Sequence, residues 1–379
     1  METGKSHRSS VLSTYVPPSW AASLSGIPQW KVKLGMCSTP IHRWEVPGLP
    51  DDVELFIKRE DMTGCALSGN KVCKLEFQLA EAIRTGCSVI IGCGSRDSNQ
   101  CRSTAVAARR LGLESHFLIK SGDMGPESLG WQSNILLQRL VGAHLYIVHI
   151  SDWTEKAVIA RMDRLADDIR KRTGKKAYII PPSGYDLPGL YGYFSVFQDL
   201  ISQGLFDKYD DLVGPSAAGA MFAGLAIANH LTGAKIKCHG IQVTYPEEIE
   251  HHRLQHVLTD VGLSEIRSHD IIDVISGYQH VDVDADDVEK DYDVVVDVAM
   301  ATGVILDPHY GARAVRGLLN QLNTNRHRFK GNRLLYIHTG GIFSVYEKRM
   351  QDYLQKKLGT AQVVAWEDGN SVPFVTDAY

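Results

Sequence analysis

The chain has 379 residues, of which 44% are hydrophobic, and a formal net charge of −4. This length allows two domains with large cores, and the nearly balanced charge argues against nucleic acid or an anionic membrane as the main partner. The sequence contains no uncharged apolar run of about eighteen residues, so we expect no membrane span.

The first segment, residues 1–16, is rich in serine and carries Lys5 and Arg8 without an apolar stretch. It does not have the pattern of a secretory signal, and Glu2 counts against an organellar presequence. We expect a disordered tail and a cytoplasmic protein, with organellar import left open. The seven cysteines form no CxxC pair, which favours reduced thiols over disulfides or a zinc site.

A short apolar strand near 53–57 leads through charged residues and a glycine turn into a predicted helix. Asn70 is a reasonable N-cap, and Gly86 can end the helix. Lys71 then stands in the first turn, where free N–H groups and the helix dipole disfavour an ammonium. A partly neutral lysine can form a Schiff base with an aldehyde. The alternative is a solvated surface lysine, as Lys74 could be.

Apolar runs alternate with helical patterns along most of the chain, which predicts parallel sheets covered by helices. The predicted strands are 89–92, 116–119, 145–148, 177–180, 236–243 and 334–338, with helices at 101–111 and 131–140. The acidic segment 281–293 is interpreted as a solvated connection with a short strand. Ligands in such folds bind at the carboxyl ends of the strands.

Two turns of small residues lie between a predicted strand and a predicted helix, at 92–100 and 213–225. Backbone N–H groups at such turns are natural anion sites. Taken alone, Ser98 in the first turn would be an ordinary N-cap, and the second turn would be a tight helix-packing segment.

Two more motifs carry polar residues near strand ends: 303–311, with Asp307-Pro308-His309-Tyr310, and 336–341, with Thr339 before two glycines. Patterns typical of zinc proteases, serine hydrolases, P-loops and Rossmann dinucleotide sites are absent from the sequence. The His251-His252 pair has no ligand spacing, so we predict no metal site, and His338 is interpreted as a strand residue.

These motifs together, with KRED and SGNK-x-x-KLEF around Lys71, resemble the pyridoxal-phosphate (PLP) enzymes of fold type II. The branch is that of D-cysteine desulfhydrase and 1-aminocyclopropane-1-carboxylate (ACC) deaminase, and the likeness runs from Thr39 to Gly341. The resemblance implies a tryptophan synthase β-like α/β fold with two parallel-sheet domains and the cofactor in the cleft. The large PLP-binding domain would comprise 17–73 and 187–379, and the small domain 74–186.

The resemblance also assigns roles. Lys71 would bind the cofactor covalently, Ser98 would bind the substrate carboxylate and relay a proton, and Asn99 would bind the 3′-oxygen of PLP. Tyr310 would shape the substrate pocket and help with protonation, and Thr339 would lie near the pyridine nitrogen. The remaining implied residues are Gln100 and Tyr278 for the substrate and Ala217, Ala218, Gly219, Ala220 and Met221 for the phosphate.

Three departures from the family pattern bear on the cofactor and the substrate. Ser95-Arg96-Asp97 brings charge beside Ser98, where Arg96 and Asp97 would either bind another acid group or pair with each other. The phosphate loop lacks a threonine hydroxyl and some of the glycines that relatives have. Gly311 stands where ACC deaminases have a glutamate. The resemblance therefore implies a lyase that performs α,β-elimination. The expected reaction is the conversion of D-cysteine to pyruvate, ammonia and hydrogen sulfide.

The alternatives are ACC deaminase, elimination from another β-substituted amino acid, and a catalytically reduced PLP-fold protein kept for binding. The resemblance further implies a homodimer that acts on a small amino acid.

Overall fold

The computed structural model describes residues 10–36, 38–182, 184–279, 285–359 and 363. Its strands are β1 (Leu12–Thr14), β2 (Trp30–Val32), β3 (Ile41–Arg43), β4 (Glu54–Arg59), β5 (Val89–Ser95), β6 (Glu114–Ser121), β7 (His144–His149), β8 (Ala177–Ile179), β9 (Asp211–Ser216), β10 (Lys237–Gln242), β11 (Asp273–Ile275) and β12 (Arg333–His338). Its α-helices are α1 (Lys71–Arg84), α2 (Asn99–Arg110), α3 (Ser133–Leu140), α4 (Glu155–Thr173), α5 (Leu187–Ser202), α6 (Leu205–Lys208), α7 (Ala220–Leu231), α8 (Glu247–Asp260), α9 (Ser268–Ile271), α10 (Ala285–Thr302), α11 (Gly311–Thr324) and α12 (Lys348–Leu358). Short 3₁₀ helices lie at Ser19–Ala21, Glu60–Thr63, Pro126–Leu129, Ile150–Asp152, Arg326–Arg328 and Ile342–Tyr346.

The larger sheet has six strands in the order β11-β10-β9-β12-β4-β3. All neighbours are parallel except β3, which runs antiparallel to β4. Buried residues from both faces of this sheet belong to two hydrophobic cores, as expected for a sheet covered by helices on each side. The carboxyl ends of β4, β9, β10 and β12 therefore meet along one edge.

The smaller sheet has four parallel strands in the order β7-β6-β5-β8. All four lie within 89–179, inside the segment that the sequence assigns to a small domain. With two parallel sheets packed by helices, the predicted α/β fold is confirmed, and every strand predicted outside the acidic segment 281–293 is present with slightly different ends.

Helix α1 is shared by two hydrophobic cores. One face carries Val72 and Leu75 into a core that includes Ile90 of β5. The other face carries Phe77 into the core built around α5 and α7. The backbones of α1 and α5 approach closely at Gly192, where a Cβ would lie 2.4 Å from the Cys73 carbonyl oxygen. The helix that begins with Lys71 is thus packed on two of its faces.

Two sequence interpretations differ from the structure. Leu12–Thr14 is a strand paired antiparallel with Trp30–Val32, so this part of 1–16 is ordered; residues 1–9 lie outside the described residues. The acidic stretch 281–293 is not a connection with a short strand from residue 285 onward, because Ala285–Thr302 is a helix; 281–284 lie outside the described residues. Its acidic residues are neutralised by two arginines of α11, as in the pairing of Asp291 with Arg313 and Arg316.

Within the described part of the chain, no helix combines the length and the apolar character needed to cross a membrane.

Candidate active site

A cavity of about 490 Å³ lies where the carboxyl ends of strands from both sheets face each other. The edge position agrees with the general rule for parallel sheets. Of the residues that the sequence singles out, the cavity is lined by Lys71, Ser98, Asn99, Gln100, Ala217, Ala218, Gly219, Ala220, Met221, Tyr310 and Thr339.

Lys71 is the first residue of α1 and reaches into this cavity. Burial lowers the pKa of its ammonium to about 8, while the Asp307 carboxylate acts in the opposite direction. Among the described residues, no hydrogen bond or ion pair involves its side chain. Lys71 therefore combines a partly neutral amine with a free lone pair.

The start of α1 is fixed by the backbone rather than by a side-chain cap. The Asn70 N–H donates to the Thr339 carbonyl oxygen over 3.1 Å, and Gly69 adopts a φ of +103°. A Cβ on Gly69 would lie 2.7 Å from that same oxygen, so this approach requires glycine. The N-cap prediction for Asn70 is wrong in one respect: its side chain makes no capping bond and its amide contacts the Met221 sulfur at 3.3 Å.

Lys74 is buried, contrary to the surface interpretation, with only 2% of its area exposed. It lies one turn after Lys71 and also lines the cavity. Its Nζ donates to the Gly184 carbonyl oxygen over 2.8 Å. Burial and the nearby charge of Lys71 lower its pKa well below the usual lysine range. The i, i+3 spacing from Lys71 was the available sequence signal for a shared helix face.

The Ser98-Asn99-Gln100 triplet opens α2 with its side chains at the cavity. Ser98 is both an N-cap and a cavity residue, since its Oγ accepts the Cys101 N–H over 3.2 Å. The Gln100 Nε2 donates to Thr104 over 2.9 Å, and its Oε1 is buried without a partner among the described residues. The free N–H groups at the start of α2 suit a carboxylate, whereas the unsatisfied Gln100 Oε1 can only accept, from a donor such as an amine.

Arg102 is a supporting residue that sequence reasoning did not identify. It is fully buried, and its guanidinium donates to the carbonyl oxygens of Ala66 at 2.6 Å and Ser68 at 3.0 Å. It also donates to Asn134, whose amide donates in turn to the Asn99 Oδ1 over 3.2 Å. Arg102 thereby ties the loop before Lys71 to the start of α2.

The segment after β9 fits the phosphate group of a PLP cofactor. Small residues line the cavity from Ala217 to Ala220, and Gly219 takes a φ of +82° just before α7 begins. The first N–H groups of α7 have no partner within the helix, and they favour an anion. The Thr244 hydroxyl, on the neighbouring cavity wall, is buried without a partner among the described residues. A cradle of small residues with unused donors is suited to a phosphate.

Tyr310 is positioned by a buried carboxylate. Asp307 accepts the backbone N–H groups of His309, Tyr310 and Gly311 at 3.1, 2.7 and 2.8 Å, which fixes the turn before α11. Burial raises the pKa of the Tyr310 phenol to about 12, so it stays protonated at neutral pH. Thr339 follows β12 on the same sheet edge and lines the cavity.

Some sequence-predicted residues are not brought to the cavity. The Tyr278 hydroxyl donates to Asn320 over 2.7 Å and accepts from Gln321 over 3.1 Å, away from the lining residues. Arg96 and Asp97 pair with each other over 3.4 Å, the second of the two outcomes considered from the sequence, and neither lines the cavity.

Gly311 is tightly packed. A Cβ there would lie 2.9 Å from an oxygen of Asp307, and the Gly311 carbonyl oxygen accepts the Tyr336 hydroxyl over 3.1 Å. A larger residue at this position would require the turn to shift.

Further charged residues on the cavity wall escaped sequence reasoning: Lys120, Glu155 and Arg253. The Arg253 guanidinium lies 4.0 Å from Glu155 and stacks over Tyr245, 4.3 Å from its ring centroid. These side chains come from distant segments without a shared motif, so no local signal pointed to them.

With this geometry, the fold and site are those of a PLP-binding α/β enzyme. Residues 32–340 match the family described as pyridoxal-phosphate dependent enzyme. The chain therefore belongs to the pyridoxal-phosphate dependent enzyme family, and the resemblance seen in its motifs is confirmed.

Relatives place it more narrowly. A bifunctional D-cysteine desulfhydrase/1-aminocyclopropane-1-carboxylate deaminase of Arabidopsis thaliana, named as mitochondrial, is 35% identical over 88% of this chain and 84% of its own. A D-cysteine desulfhydrase of Yersinia enterocolitica is 27% identical over 77% of this chain and 88% of its own. A solved structure described as an ACC deaminase homologue has a TM-score of 0.75 at 26% identity, covering 90% of this chain and 99% of its own.

Proposed function

We propose that this enzyme is a lyase that eliminates the β-substituent of an amino acid, converting D-cysteine to pyruvate, ammonia and hydrogen sulfide. The observation that carries the proposal is the partly neutral Lys71 amine, without a side-chain partner among the described residues, in one cavity with Ser98 and Tyr310. The names of two relatives, which include D-cysteine desulfhydrase, support the substrate.

In this proposal Lys71 would hold PLP covalently, with the N–H groups and small residues of Ala217 to Met221 at its phosphate and Asn99 and Thr339 at its ring. When bound, PLP supplies the electron sink that stabilises negative charge at the substrate α-carbon. The Lys71 amine would act as the general base that removes the α-proton.

Ser98 and the N–H groups at the start of α2 bind the substrate carboxylate and thereby orient the α-hydrogen toward the Lys71 amine. Tyr310 holds a proton on its phenol oxygen that can be passed to the leaving sulfur or to the product. Thr339 offers only a neutral hydroxyl to the ring, which suits an elimination that needs a moderate electron sink.

The second candidate is ACC deaminase activity, which is favoured by the printed name of the Arabidopsis relative and by that of the similar structure. The packing at Gly311 opposes it, because a glutamate side chain at this position would meet the Asp307 carboxylate. We therefore place D-cysteine first.

The test measures keto-acid release by the PLP-loaded protein from D-cysteine, L-cysteine, D-serine and ACC. We expect pyruvate and hydrogen sulfide from D-cysteine, and neither from the Lys71→Ala variant. Release of 2-oxobutanoate from ACC at a higher kcat/KM than pyruvate from D-cysteine would overturn the choice of substrate. A folded, PLP-bearing protein that turns over none of the four would refute the desulfhydrase proposal.

The assembly and compartment are part of the same proposal: a homodimer in the cytoplasm. None of the six cysteines in the described residues forms a disulfide, which suits a reducing compartment. Light scattering of the holoenzyme tests the dimer, and cell fractionation tests the compartment. Recovery in an organellar fraction, as the Arabidopsis relative's name suggests for that protein, would contradict a cytoplasmic location.

A further inference from the structure

Glu250 is a buried carboxyl group directly behind the loop assigned to the phosphate. It lies on α8 with only 2% of its area exposed, and it does not line the cavity itself. One carboxyl oxygen, Oε1, accepts the Ser216 hydroxyl, and the other, Oε2, accepts the Gln242 side-chain amide.

These two partners connect Glu250 to two separate cavity walls. Ser216 ends β9 immediately before Ala217, and it lines the cavity. Gln242 ends β10, and its Oε1 accepts the N–H groups of Thr244 at 2.9 Å and of Tyr245 at 3.1 Å. One carboxyl group therefore anchors the loops that follow both β9 and β10.

The phosphate loop also packs directly on this side chain. A Cβ on Gly219 would lie 3.3 Å from the Glu250 Cγ, and one on Gly240 would lie 3.3 Å from its Oε1. An ionised Glu250 would therefore place a negative charge just behind a site that is otherwise built for an anion.

Both protonation states of Glu250 are accessible near neutral pH. Burial raises its pKa to about 7, and the Ser216 and Gln242 donors act in the opposite direction. The charged groups that act on it are on its own helix: Arg253 lowers the pKa and Glu247 raises it. The elements packed against it contribute the uncharged Ser216, Gln242 and Gly219, and the neighbouring His251 contacts Ser268 instead.

The protonation state decides where the Ser216 hydrogen points. A hydroxyl has one hydrogen, and an ionised carboxylate can only accept, so Ser216 must then donate to Glu250. A protonated Glu250 carries its own donor, so the Ser216 oxygen can accept and its hydrogen becomes available on the cavity side.

We propose that Glu250 is a positioning residue for the cofactor phosphate, which takes up a proton when the phosphate binds and thereby frees the Ser216 hydroxyl to donate to it. In this way Ser216 replaces the threonine hydroxyl that the Ala217 to Met221 loop lacks. The inference rests on the proposed placement of the phosphate at this loop, and it is independent of the substrate.

The test uses pyridoxamine 5′-phosphate with the apoprotein, because this ligand has no aldehyde to react with Lys71. Titration calorimetry in two buffers of different ionisation enthalpy counts the protons taken up, in the unmodified protein and in Glu250→Gln. We expect the unmodified protein to take up more protons. If phosphate binds only when Glu250 is protonated, the dissociation constant of pyridoxamine 5′-phosphate for the unmodified protein rises about fivefold between pH 7 and pH 8, relative to that for Glu250→Gln.

Ser216→Ala tests the same device without altering the carboxyl group, and so covers the case in which Glu250→Gln folds poorly. We expect this variant to bind pyridoxamine 5′-phosphate about tenfold more weakly at pH 7, which is the effect of one lost hydrogen bond to a charged group. Its affinity for pyridoxamine, which has no phosphate, should be unchanged. Equal proton uptake by the unmodified protein and a folded Glu250→Gln, or an unchanged affinity in Ser216→Ala, would overturn the role of Glu250.

A matched pair at the first residue of α7 separates this inference from the placement on which it rests. Ala220→Asp puts a carboxylate beside the proposed phosphate, whereas Ala220→Asn has nearly the same shape without charge. Weaker pyridoxamine 5′-phosphate binding by the aspartate variant alone supports the placement. Equal binding by the two variants would place the phosphate elsewhere and overturn the inference. The desulfhydrase proposal is tested separately, by keto-acid release from the unmodified protein.

Discussion

Two lysines, the half-buried Lys71 and the buried Lys74, lie one turn apart on the same helix and line the same cavity. Both have a lowered pKa because their ammonium groups are removed from water. They differ in their partners: the Lys74 Nζ is bound to the Gly184 carbonyl oxygen, whereas no hydrogen bond or ion pair holds the Lys71 Nζ among the described residues. Burial makes an amine neutral, but reactivity also requires that it be free to move.

The two lysines also differ in the charges that act on them. The charge of Lys71 helps to lower the pKa of Lys74. The Asp307 carboxylate acts on Lys71 in the opposite direction and retains part of its charge. Three predictions test this contrast.

The largest effect is expected from removing the free amine. Lys71→Ala should reduce turnover by at least about a thousandfold, since it removes both the proposed covalent attachment and the proposed general base. Lys74→Met, the matched change one turn away, should retain the absorbance of covalently bound PLP. Absorbance spectra and keto-acid release measure both, and loss of the covalent band in a folded Lys74→Met protein would contradict the distinction.

The second prediction concerns the pH dependence of stability in the apoprotein. A lysine whose pKa is lowered by folding binds its proton more tightly in the unfolded chain, so stability rises with pH from the folded pKa up to the ordinary lysine range. For Lys71 this window begins at about 8, and for Lys74 it begins well below the ordinary lysine range. Each group contributes up to about 1.4 kcal/mol per pH unit within its window.

Denaturant titrations at several pH values test this prediction. Lys71→Met should flatten the rise in unfolding free energy above about pH 8, and Lys74→Met should flatten a rise that also lies below the ordinary lysine range. A variant that keeps the full slope of the unmodified protein would show that the pKa of its lysine is not lowered by folding.

The smallest effect is expected at Asp307. Asp307→Asn removes the charge that raises the Lys71 pKa, so the pKa should fall further, by about 0.5 to 1 unit. The asparagine oxygen can still accept the Tyr310 N–H. The rate at which apoprotein Lys71 adds to pyridoxal, followed against pH, should show its midpoint at lower pH. A midpoint that moves upward would refute the proposed interaction.

The parts of this site that sequence reasoning located share one property: each is a short continuous segment at the end of a strand. Lys71, the Ser98 triplet and the Ala217 to Met221 loop are of this kind, because a turn between a strand and a helix has a local composition. The features that could not be predicted from the sequence depend on contacts between distant segments. Arg253 lines the cavity from α8, and Glu250 lies behind the cavity wall on the same helix. Only the folded chain shows that the acidic part of α10 is paired with arginines of α11.

Lys74 shows a different limit of the sequence. Its neighbours in α1 from Val72 to Ala80 are all buried, including Glu76 and Gln78, so this helix has no polar face by which a surface lysine could be recognised. A charged residue in such a helix is exposed only if the packing of the surrounding elements leaves its side chain in contact with water.

The shared position of α1 has a thermodynamic consequence. Because Val72 and Phe77 belong to different hydrophobic cores, melting of either core removes support from the helix that carries Lys71. The two sheets are thus coupled through the helix on which we propose that the cofactor is held, and unfolding should be cooperative across the whole chain. Release of bound PLP and loss of helical signal should then coincide in a single thermal transition, and the cofactor itself becomes a reporter of the integrity of both halves.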